Sequence, residues 1–293
     1  MSGRFAPSPT GDLHVGNLRT ALASWFDARS QRIPWLLRFE DLDGVVADRE
    51  TADRQLTSLA ALGMVPDGEA MWQSDHLDRY QEAIRSLVEM GRTYPCFCSR
   101  REIREAASAP NGPPSGAYPG TCATLSSRQR TVRSRKRPAA LRFRADSAEV
   151  QFHDVNLGAQ SFVVDDFVIR RNDEVPAYNL VVVVDDHAQG VTSVVRAADL
   201  LSSTARQILV ASALGLSSFS YAHVPLVVNP QGTRLTKRDG AMTLPQLAEF
   251  GWSAGAVKAW ILESMGLDDS DSWSGRRDVS EWSNVWVPPD VVG

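Results

Sequence analysis

Near its start the chain reads Arg4-Phe-Ala-Pro-Ser-Pro-Thr-Gly-Asp-Leu-His14-Val-Gly16-Asn17, and this segment is the strongest indication of the fold. Its first residues predict a buried strand over 3–7, its Pro and Gly residues predict a turn, and the apolar spacing that follows predicts a helix over 15–32. A strand that leads through a turn into a helix start presents backbone N–H groups to an anion. Because His14 and the small Gly16 lie at that helix start, the stretch predicts a phosphate-binding site.

The length and composition of the chain indicate an ordinary globular protein. Its 293 residues, 43% of them hydrophobic, suffice for a substantial core in one elaborated domain or two. The first twenty residues hold no apolar leader core, and no apolar run approaches the ~18 residues of a membrane helix. We therefore expect a cytoplasmic protein with no membrane segment. The formal charge of −4 disfavours broad coating of nucleic acid, although a local basic patch can still bind phosphates.

A second basic motif, Arg234-Leu-Thr-Lys237-Arg238, lies more than two hundred residues after the first. The Asn-Pro-Gln-Gly segment over 229–232 predicts a turn that presents Lys237 as a mobile cation. Neither the dinucleotide-binding pattern G-x-G-x-x-G nor the Walker pattern G-x-x-x-x-G-K-[ST] occurs in the chain. NAD enzymes and P-loop NTPases are therefore disfavoured.

Hydrophobic periodicity predicts a parallel α/β unit that is interrupted by an insertion. Strands are predicted over 34–39, 94–98, 139–144, 150–153, 191–196 and 223–228, with a hairpin over 160–171. Helices are predicted over 49–62, 77–90, 100–107, 205–214, 245–250 and 254–265. The acidic last 25 residues contain Trp273, Trp282 and Trp286, which we expect to anchor this tail by apolar burial.

The two motifs, with the segments between them, resemble the HIGH and KMSKS signatures of class I aminoacyl-tRNA synthetases in their glutamyl version. The resemblance covers nearly the whole chain. It implies an α/β fold, namely a Rossmann-like class I synthetase catalytic domain with an inserted α+β zinc-containing subdomain and a C-terminal helical region. The implied divisions are the first catalytic half (1–92), the inserted RNA-acceptor subdomain (93–177), the second catalytic half (178–228), and the KMSKS-like loop with a helical stem-contact region (229–293). Strand propensity over Val181–Val184 conflicts with a helix in the family, and we expect the helix.

Amino-acid activation joins a carboxylate to the α-phosphate of ATP with loss of pyrophosphate. It therefore needs alignment and charge stabilisation rather than an enzyme nucleophile. The resemblance implies that His14, Gly16, Asn17 and Lys237 bind ATP, which enters with magnesium, and that His14 and Lys237 are catalytic. Lys237 would stabilise the departing pyrophosphate. Asn17 stands where the generic signature has histidine, a variation that is common in glutamate-type synthetases.

A site for free glutamate should offer about two cations and one anion, because the substrate has two carboxylates and one ammonium group. The resemblance assigns the amino-acid pocket to Arg4, Phe5, Ala6, Pro7, Ser8, Glu40, Tyr178 and Arg196. This set supplies two arginines and one glutamate. Taken separately, Glu40 and Arg196 also fit a surface ion pair. The sequence leaves open which arginine binds which carboxylate.

Three cysteines, Cys96, Cys98 and Cys122, rule out complete internal disulfide pairing and suggest a metal site. A structural zinc prefers four tetrahedral ligands, so three thiolates are an incomplete set. The alternative is that the cysteines pack as small hydrophobic residues. The same Cys-x-Cys and Tyr-x-x-x-Cys pattern recurs in shortened glutamyl-tRNA synthetase paralogues, which implies zinc with Tyr118 as the fourth ligand.

The point at which the chain stops distinguishes it within the family. Full glutamyl-tRNA synthetases continue into a helical region that reads the anticodon, whereas this chain ends shortly after the second motif. Together with the segment over 178–190 and the cysteine and tyrosine pattern, this makes the chain similar to the shortened paralogues, which activate glutamate without tRNA and attach it to queuosine in the anticodon loop of tRNA(Asp). We expect L-glutamate, ATP and this anticodon loop as partners of a monomer. The alternatives are a truncated enzyme that charges a tRNA 3′ end and a catalytically silent tRNA-binding module.

A basic cluster is the candidate RNA contact. Eight Arg and Lys residues fall within 128–144, and three more arginines lie within 100–104. Such a cluster attracts phosphates, but it is also typical of a solvated helix face.

Overall fold

Ten strands form two sheets in a computed structural model of the chain, which describes residues 1–42, 47–107, 117–232, 235, 242–267 and 279–286. The strands are β1 (Ser2–Phe5), β2 (Trp35–Phe39), β3 (Met71–Trp72), β4 (Thr93–Cys96), β5 (Ala140–Phe143), β6 (Glu149–Asp154), β7 (Gly158–Val163), β8 (Phe167–Arg170), β9 (Val191–Ala197) and β10 (Ser220–Val224). The larger sheet has the order β3-β2-β1-β9-β10-β6-β7, and the smaller sheet has the order β4-β5-β8. The larger sheet is parallel except between β6 and β7, whereas the smaller sheet is antiparallel.

Nine α-helices accompany these sheets in the same described ranges. They are α1 (Val15–Ser30), α2 (Arg49–Ala61), α3 (Leu77–Glu89), α4 (Arg100–Ala107), α5 (Ser127–Ser134), α6 (Tyr178–Ala188), α7 (Leu201–Ala213), α8 (Leu244–Glu249) and α9 (Ala254–Ser264). Helix α1 packs on β1, β2 and β9, while α6 packs on α3, α7 and β9. Two separate apolar clusters result, one around α1 and one around α6. None of these described helices combines the length and the apolar character needed to cross a membrane.

The first strand and the first helix confirm the prediction, with small shifts at their ends. β1 stops at Phe5, and Pro7, which has no N–H to offer to a neighbouring strand, follows in the turn. Helix α1 ends at Ser30, two residues before the predicted end, because Arg32 adopts a left-handed conformation with φ of 55°.

The helix expected over the valine run is confirmed as α6. Val181, Val182, Val183 and Val184 are all buried, because α3, α7 and β9 surround this helix. Burial on all sides outweighs the strand propensity of valine.

The hairpin predicted over 160–171 is wrong. β7 pairs with β6 in the larger sheet, whereas β8 pairs with β5 in the smaller one. Between them, the carboxylate of Asp166 accepts hydrogen bonds from the backbone N–H of Ala145 (2.7 Å) and from the Tyr94 hydroxyl (2.6 Å). These contacts tie the start of β8 to the smaller sheet. As a result, two strands within 93–177, β6 and β7, extend the larger sheet.

The tail packs on the body through tryptophans. Trp282 and Trp286 are buried, and the Trp286 ring meets the rings of Trp260 and Trp252 with centroids 4.6 and 5.9 Å apart. The backbone of Trp286 also donates to the Val228 carbonyl at 2.8 Å. The expected anchoring is therefore confirmed for these two tryptophans, while Trp273 lies outside the described residues.

Candidate active site

The imidazole of His14 is fixed at the start of α1. Its Nδ1 accepts hydrogen bonds from the backbone N–H groups of Gly16 (3.1 Å) and Asn17 (3.3 Å), and Asn17 Oδ1 accepts from the His14 N–H (3.3 Å). Because Nδ1 is an acceptor, the neutral ring carries its proton on Nε2. A Cβ at position 16 would lie 3.0 Å from His14 Cε1, so a larger residue there would push on the ring.

Described residues within and after the second basic motif lie beside this helix start. Val15 N–H donates to the Met242 carbonyl (3.1 Å), and His14 forms an isolated β-bridge with Thr243. Within the motif itself, the buried Leu235 lines a small recess together with His14 and Gly16. Lys237 itself lies outside the described residues.

The turn between β1 and α1 is held from α2. The side chain of Gln55, which is buried, donates through Nε2 to the carbonyls of Ser8 (3.1 Å) and Gly11 (2.7 Å). Glu40 N–H donates to the Pro7 carbonyl (2.9 Å), which joins the end of β2 to the same turn. The turn therefore has a defined shape at the point where it faces α1.

One cavity brings the expected site residues together. His14 and Asn17 line this cavity. Its walls also include all eight residues expected for the amino-acid pocket, namely Arg4, Phe5, Ala6, Pro7, Ser8, Glu40, Tyr178 and Arg196. Gly16 faces the adjoining recess, which shares His14 and Asn17 with the cavity. Sequence reasoning did not assign Thr10, Asp12 and Asp199, which also line the cavity. Two arginines, an acidic side chain and the start of α1 therefore line one cavity, which is open to a small ligand.

A buried ionic network underlies the acidic side of the cavity. Asp186 on α6 pairs with Arg4 Nε (3.2 Å) and Arg38 Nη1 (2.6 Å). Arg38 also lies 3.6 Å from a Glu40 oxygen and 3.7 Å from an Asp185 oxygen. Sequence reasoning assigned no role to Arg38, Asp185 or Asp186. The available signal was charged residues inside an apolar strand and an apolar helix, where unpaired charge is costly.

The network shifts the pKa values of Glu40 and Asp186 in opposite directions. Burial raises the pKa of Glu40 to about 7, and the attraction of Arg38 and Arg4 only partly opposes this. For Asp186, burial also acts upward, but the charges of Arg4 and Arg38 outweigh it and lower the pKa. Asp186 is therefore a permanent anion, whereas Glu40 titrates near neutrality and faces the cavity.

Arg196, at the end of β9, is the other buried arginine of the cavity wall. Its guanidinium donates to four uncharged acceptors: His223 Nε2 (3.1 Å), Gln207 Oε1 (2.8 Å), Thr204 Oγ1 (2.7 Å) and the Leu200 carbonyl (3.5 Å). His223 is held in turn by Asp154, whose Oδ2 lies 2.6 Å from Nδ1. Sequence reasoning missed both His223 and Asp154, since they are 69 residues apart in the chain.

The three cysteines and Tyr118 converge at the smaller sheet. Cys98 Sγ lies 3.5 Å from Cys122 Sγ, and Tyr118 Oη lies 3.4 Å from Cys96 Sγ and 3.8 Å from Cys98 Sγ. All three sulfurs lie within 4.8 Å of one another. Tetrahedral zinc, with Zn–S of about 2.3 Å and Zn–O of about 2.0 Å, places S···S about 3.8 Å and S···O about 3.5 Å apart. The group could therefore hold a metal ion with little rearrangement.

The surroundings of this group also suit a metal. The Arg142 guanidinium lies 3.5 Å from the centre of the Tyr118 ring, so it can balance the negative charge of a thiolate cluster. Tyr118 Oη accepts from the backbone N–H of Cys122 (2.9 Å), and Tyr118 N–H donates to Asp165 (2.7 Å). The tyrosine is thus oriented from both ends.

The family model for the catalytic domain of class I tRNA synthetases (E and Q) matches residues 1–261. The chain belongs to this family. Among its curated relatives, a glutamyl-Q tRNA(Asp) synthetase of Nocardia farcinica is 52% identical over 91% of this chain and 85% of the relative. One of Geobacter sulfurreducens is 48% identical over 99% of this chain and 93% of the relative.

Solved synthetase structures share the same fold. The glutamate-tRNA synthetase of Elizabethkingia anophelis superposes with a TM-score of 0.72 at 29% identity, over 85% of this chain and 53% of that protein. A glutamate tRNA ligase from Elizabethkingia meningosepticum, solved in complex with its amino acid, superposes with a TM-score of 0.71 at the same identity and coverage. The present chain therefore spans about half the length of these solved synthetases.

Proposed function

We propose that this enzyme activates L-glutamate with ATP, without tRNA, and transfers it to queuosine in the anticodon loop of tRNA(Asp). The observation that carries the activation step is the single cavity in which Arg4, Arg196, Glu40 and Tyr178 face the start of α1. The names of its relatives, glutamyl-Q tRNA(Asp) synthetases at 52% and 48% identity, support this acceptor.

The charges of the cavity match those of glutamate. Two arginines face its two carboxylates, and Glu40 in its ionised form faces its ammonium group, as charge-assisted hydrogen bonds require. Phe5, Ala6, Pro7 and Ser8 form part of the wall of this cavity. Tyr178, next to the acidic network, orients the substrate.

In this proposal ATP, entering with magnesium, lies across the start of α1. The Nε2–H of His14 and the backbone N–H groups of Gly16 and Asn17 bind its phosphates. Lys237 follows Leu235 by two residues in the chain, and Leu235 lines the same recess as His14, which supports assigning Lys237 to the departing pyrophosphate. His14 and Lys237 act as catalytic residues by stabilising charge in the transition state.

The region 93–177 serves as the RNA-acceptor subdomain between two catalytic halves, 1–92 and 178–228. Cys96, Cys98, Cys122 and Tyr118 would hold a structural zinc, which cross-links the chain around the loop that joins β4 to β5. The segment 229–293 carries the KMSKS-like loop and a C-terminal helical region that contacts an RNA stem. We propose a monomer, because one cavity and its adjoining recess are lined by the proposed activating groups that lie in the described chain.

The activation step is tested by glutamate-dependent exchange of labelled pyrophosphate into ATP with no RNA present. We expect exchange with glutamate and none with glutamine or aspartate. Lys237→Ala should slow it by roughly 10²-fold, the scale of one lost electrostatic contact in a transition state. Absence of exchange at saturating glutamate would contradict tRNA-independent activation.

The acceptor is tested with tRNA(Asp) that carries queuosine and with the unmodified transcript. Labelled glutamate should appear only on the modified tRNA, and nuclease digestion should recover it in the anticodon fragment. A tRNA that lacks its 3′-terminal adenosine should accept it equally well. Label that requires the terminal adenosine would instead establish an enzyme that charges a 3′ end, and no label on any tRNA would leave a protein without transfer activity.

A further inference from the structure

Arg196 differs from the other buried arginines of the site in the charge of its partners. Arg4 and Arg38 are both ion-paired to Asp186, at 3.2 and 2.6 Å. The acceptors of the Arg196 guanidinium in the described chain are instead a ring nitrogen, an amide oxygen, a hydroxyl and a carbonyl. Among the described residues, Arg196 is therefore the arginine of the cavity wall whose hydrogen-bond partners include no carboxylate.

The contact with His223 determines the state of that ring. Arginine can only donate, so His223 Nε2 must accept the hydrogen bond from Arg196 Nε. The ring proton then lies on Nδ1, where it donates to Asp154 Oδ2 at 2.6 Å. Burial also lowers the pKa of His223, although the hydrogen bond to Asp154 opposes this, and a lower pKa keeps the ring neutral.

Asp154 is built to hold this one tautomer. The carboxylate is fully buried and accepts three backbone N–H groups, from Asn156 and Leu157 at 3.0 Å and from His223 at 3.2 Å. These donors fix the carboxylate so that its Oδ2 can accept a further hydrogen bond from the His223 ring. The order Asp154, His223, Arg196 thus spans from β6 through β10 to the end of β9 and the cavity.

We propose that His223, oriented by Asp154, is a positioning residue for Arg196: it fixes the guanidinium toward the cavity without neutralising it, so the charge remains available for a substrate carboxylate. A carboxylate in direct contact with Arg196 would fix it equally well but would compete with the substrate. The neutral His223 ring lies between Arg196 and Asp154. It can therefore orient the guanidinium without cancelling its charge. This inference rests on the proposed function, because it assigns the carboxylate to the amino acid.

The first test compares two substitutions in glutamate-dependent pyrophosphate exchange. His223→Gln can place a neutral carbonyl acceptor near Arg196 Nε, whereas His223→Leu provides none. We expect His223→Leu to raise the KM for glutamate roughly 10- to 100-fold, the scale of one hydrogen bond to a charged group, with the KM for ATP little changed. His223→Gln should recover most of this loss. His153→Leu, on the exposed face of β6, is the matched control and should leave both constants unchanged.

The second test reads the tautomer directly and does not depend on activity. In ¹⁵N-histidine NMR spectra, the signal that disappears in His223→Gln should show the Nδ1–H tautomer in the wild-type protein. Asp154→Asn turns an amide N–H toward Nδ1, so it should shift that signal to the Nε2–H tautomer and raise the KM for glutamate.

The outcomes separate this inference from the proposed function. A wild-type protein without glutamate-dependent exchange contradicts the function, whatever the spectra show. An active wild type in which His223→Leu leaves the KM for glutamate unchanged, or raises both substrate constants alike, overturns the positioning role. An Nε2–H tautomer in the wild-type spectrum overturns it independently of any variant.

Discussion

Glu40→Gln should stabilise the ligand-free protein while it weakens glutamate binding. Burial raises the pKa of Glu40 to about 7 from an ordinary 4.5. A group with a raised carboxyl pKa binds its proton more tightly in the folded chain than in the unfolded chain. Its contribution therefore favours folding less as the pH rises from 4.5 to 7, and it is constant above that range.

The size of the effect follows from these two values. A difference of about 2.5 pKa units corresponds to ~3 kcal/mol for the cost of holding Glu40 ionised in the folded protein. Glutamine keeps the shape of the side chain and carries no charge. At pH 8 we expect Glu40→Gln to raise the free energy of unfolding by up to ~3 kcal/mol, and at pH 5 by less than ~1 kcal/mol, because the wild-type carboxyl is then largely protonated.

The assay is urea unfolding of both proteins at pH 5 and pH 8, with Glu69→Gln as the control. Glu69 is exposed, so its substitution should change stability by less than ~0.5 kcal/mol. Glu40→Gln should also raise the KM for glutamate by roughly 10²-fold, because the ammonium group loses a charged acceptor. If Glu40→Gln is no more stable than wild type at pH 8, or if the gain is the same at both pH values, the ionised-carboxylate reasoning is refuted.

Three further predictions concern other parts of the molecule. Gly16→Ala places a Cβ 3.0 Å from His14 Cε1, so kcat for pyrophosphate exchange should fall at least tenfold while the melting temperature changes little. An unchanged kcat would show that the His14 ring can shift without consequence for activity. Elemental analysis should find one zinc per wild-type chain and less in Cys98→Ser. Proteolysis of this variant should begin near the smaller sheet, because structural zinc is coupled to folding. A folded, zinc-free wild type would instead favour simple packing of the cysteines. Trp286→Ala removes a fully buried ring and should lower the free energy of unfolding by ~3–5 kcal/mol in denaturant titrations, and a loss below ~1 kcal/mol would mean that the tail contributes little.

Features whose parts are neighbours in the chain could be read from the sequence. The strand, turn and helix that present His14, Gly16 and Asn17 occupy one continuous stretch, and the capping bonds that fix the imidazole join residues at most three apart. The cysteines and Tyr118 lie within a short segment as well, so their grouping was visible, although their mutual distances were not.

Features that depend on partners far apart in the chain were decided by the tertiary structure. Arg38 was visible only as a charge inside a strand, and its role comes from Asp186, 148 residues away on a buried helix. The pairing of β7 with β6, rather than with β8, depends on where Asp166 finds its backbone donors. In both cases a buried polar group must find a partner, and only packing brings that partner close.

The amino-acid pocket shows both contributions. From the sequence, through its resemblance to the synthetase family, came the expected residues that line the cavity, since each lies in a motif that matches the family. The sequence did not determine that Arg4 is neutralised by Asp186 while Arg196 rests on an uncharged ring, because β6, β9 and β10 meet only in the folded sheet. The strength of a charge depends on what surrounds it, and those surroundings exist only once the chain has packed.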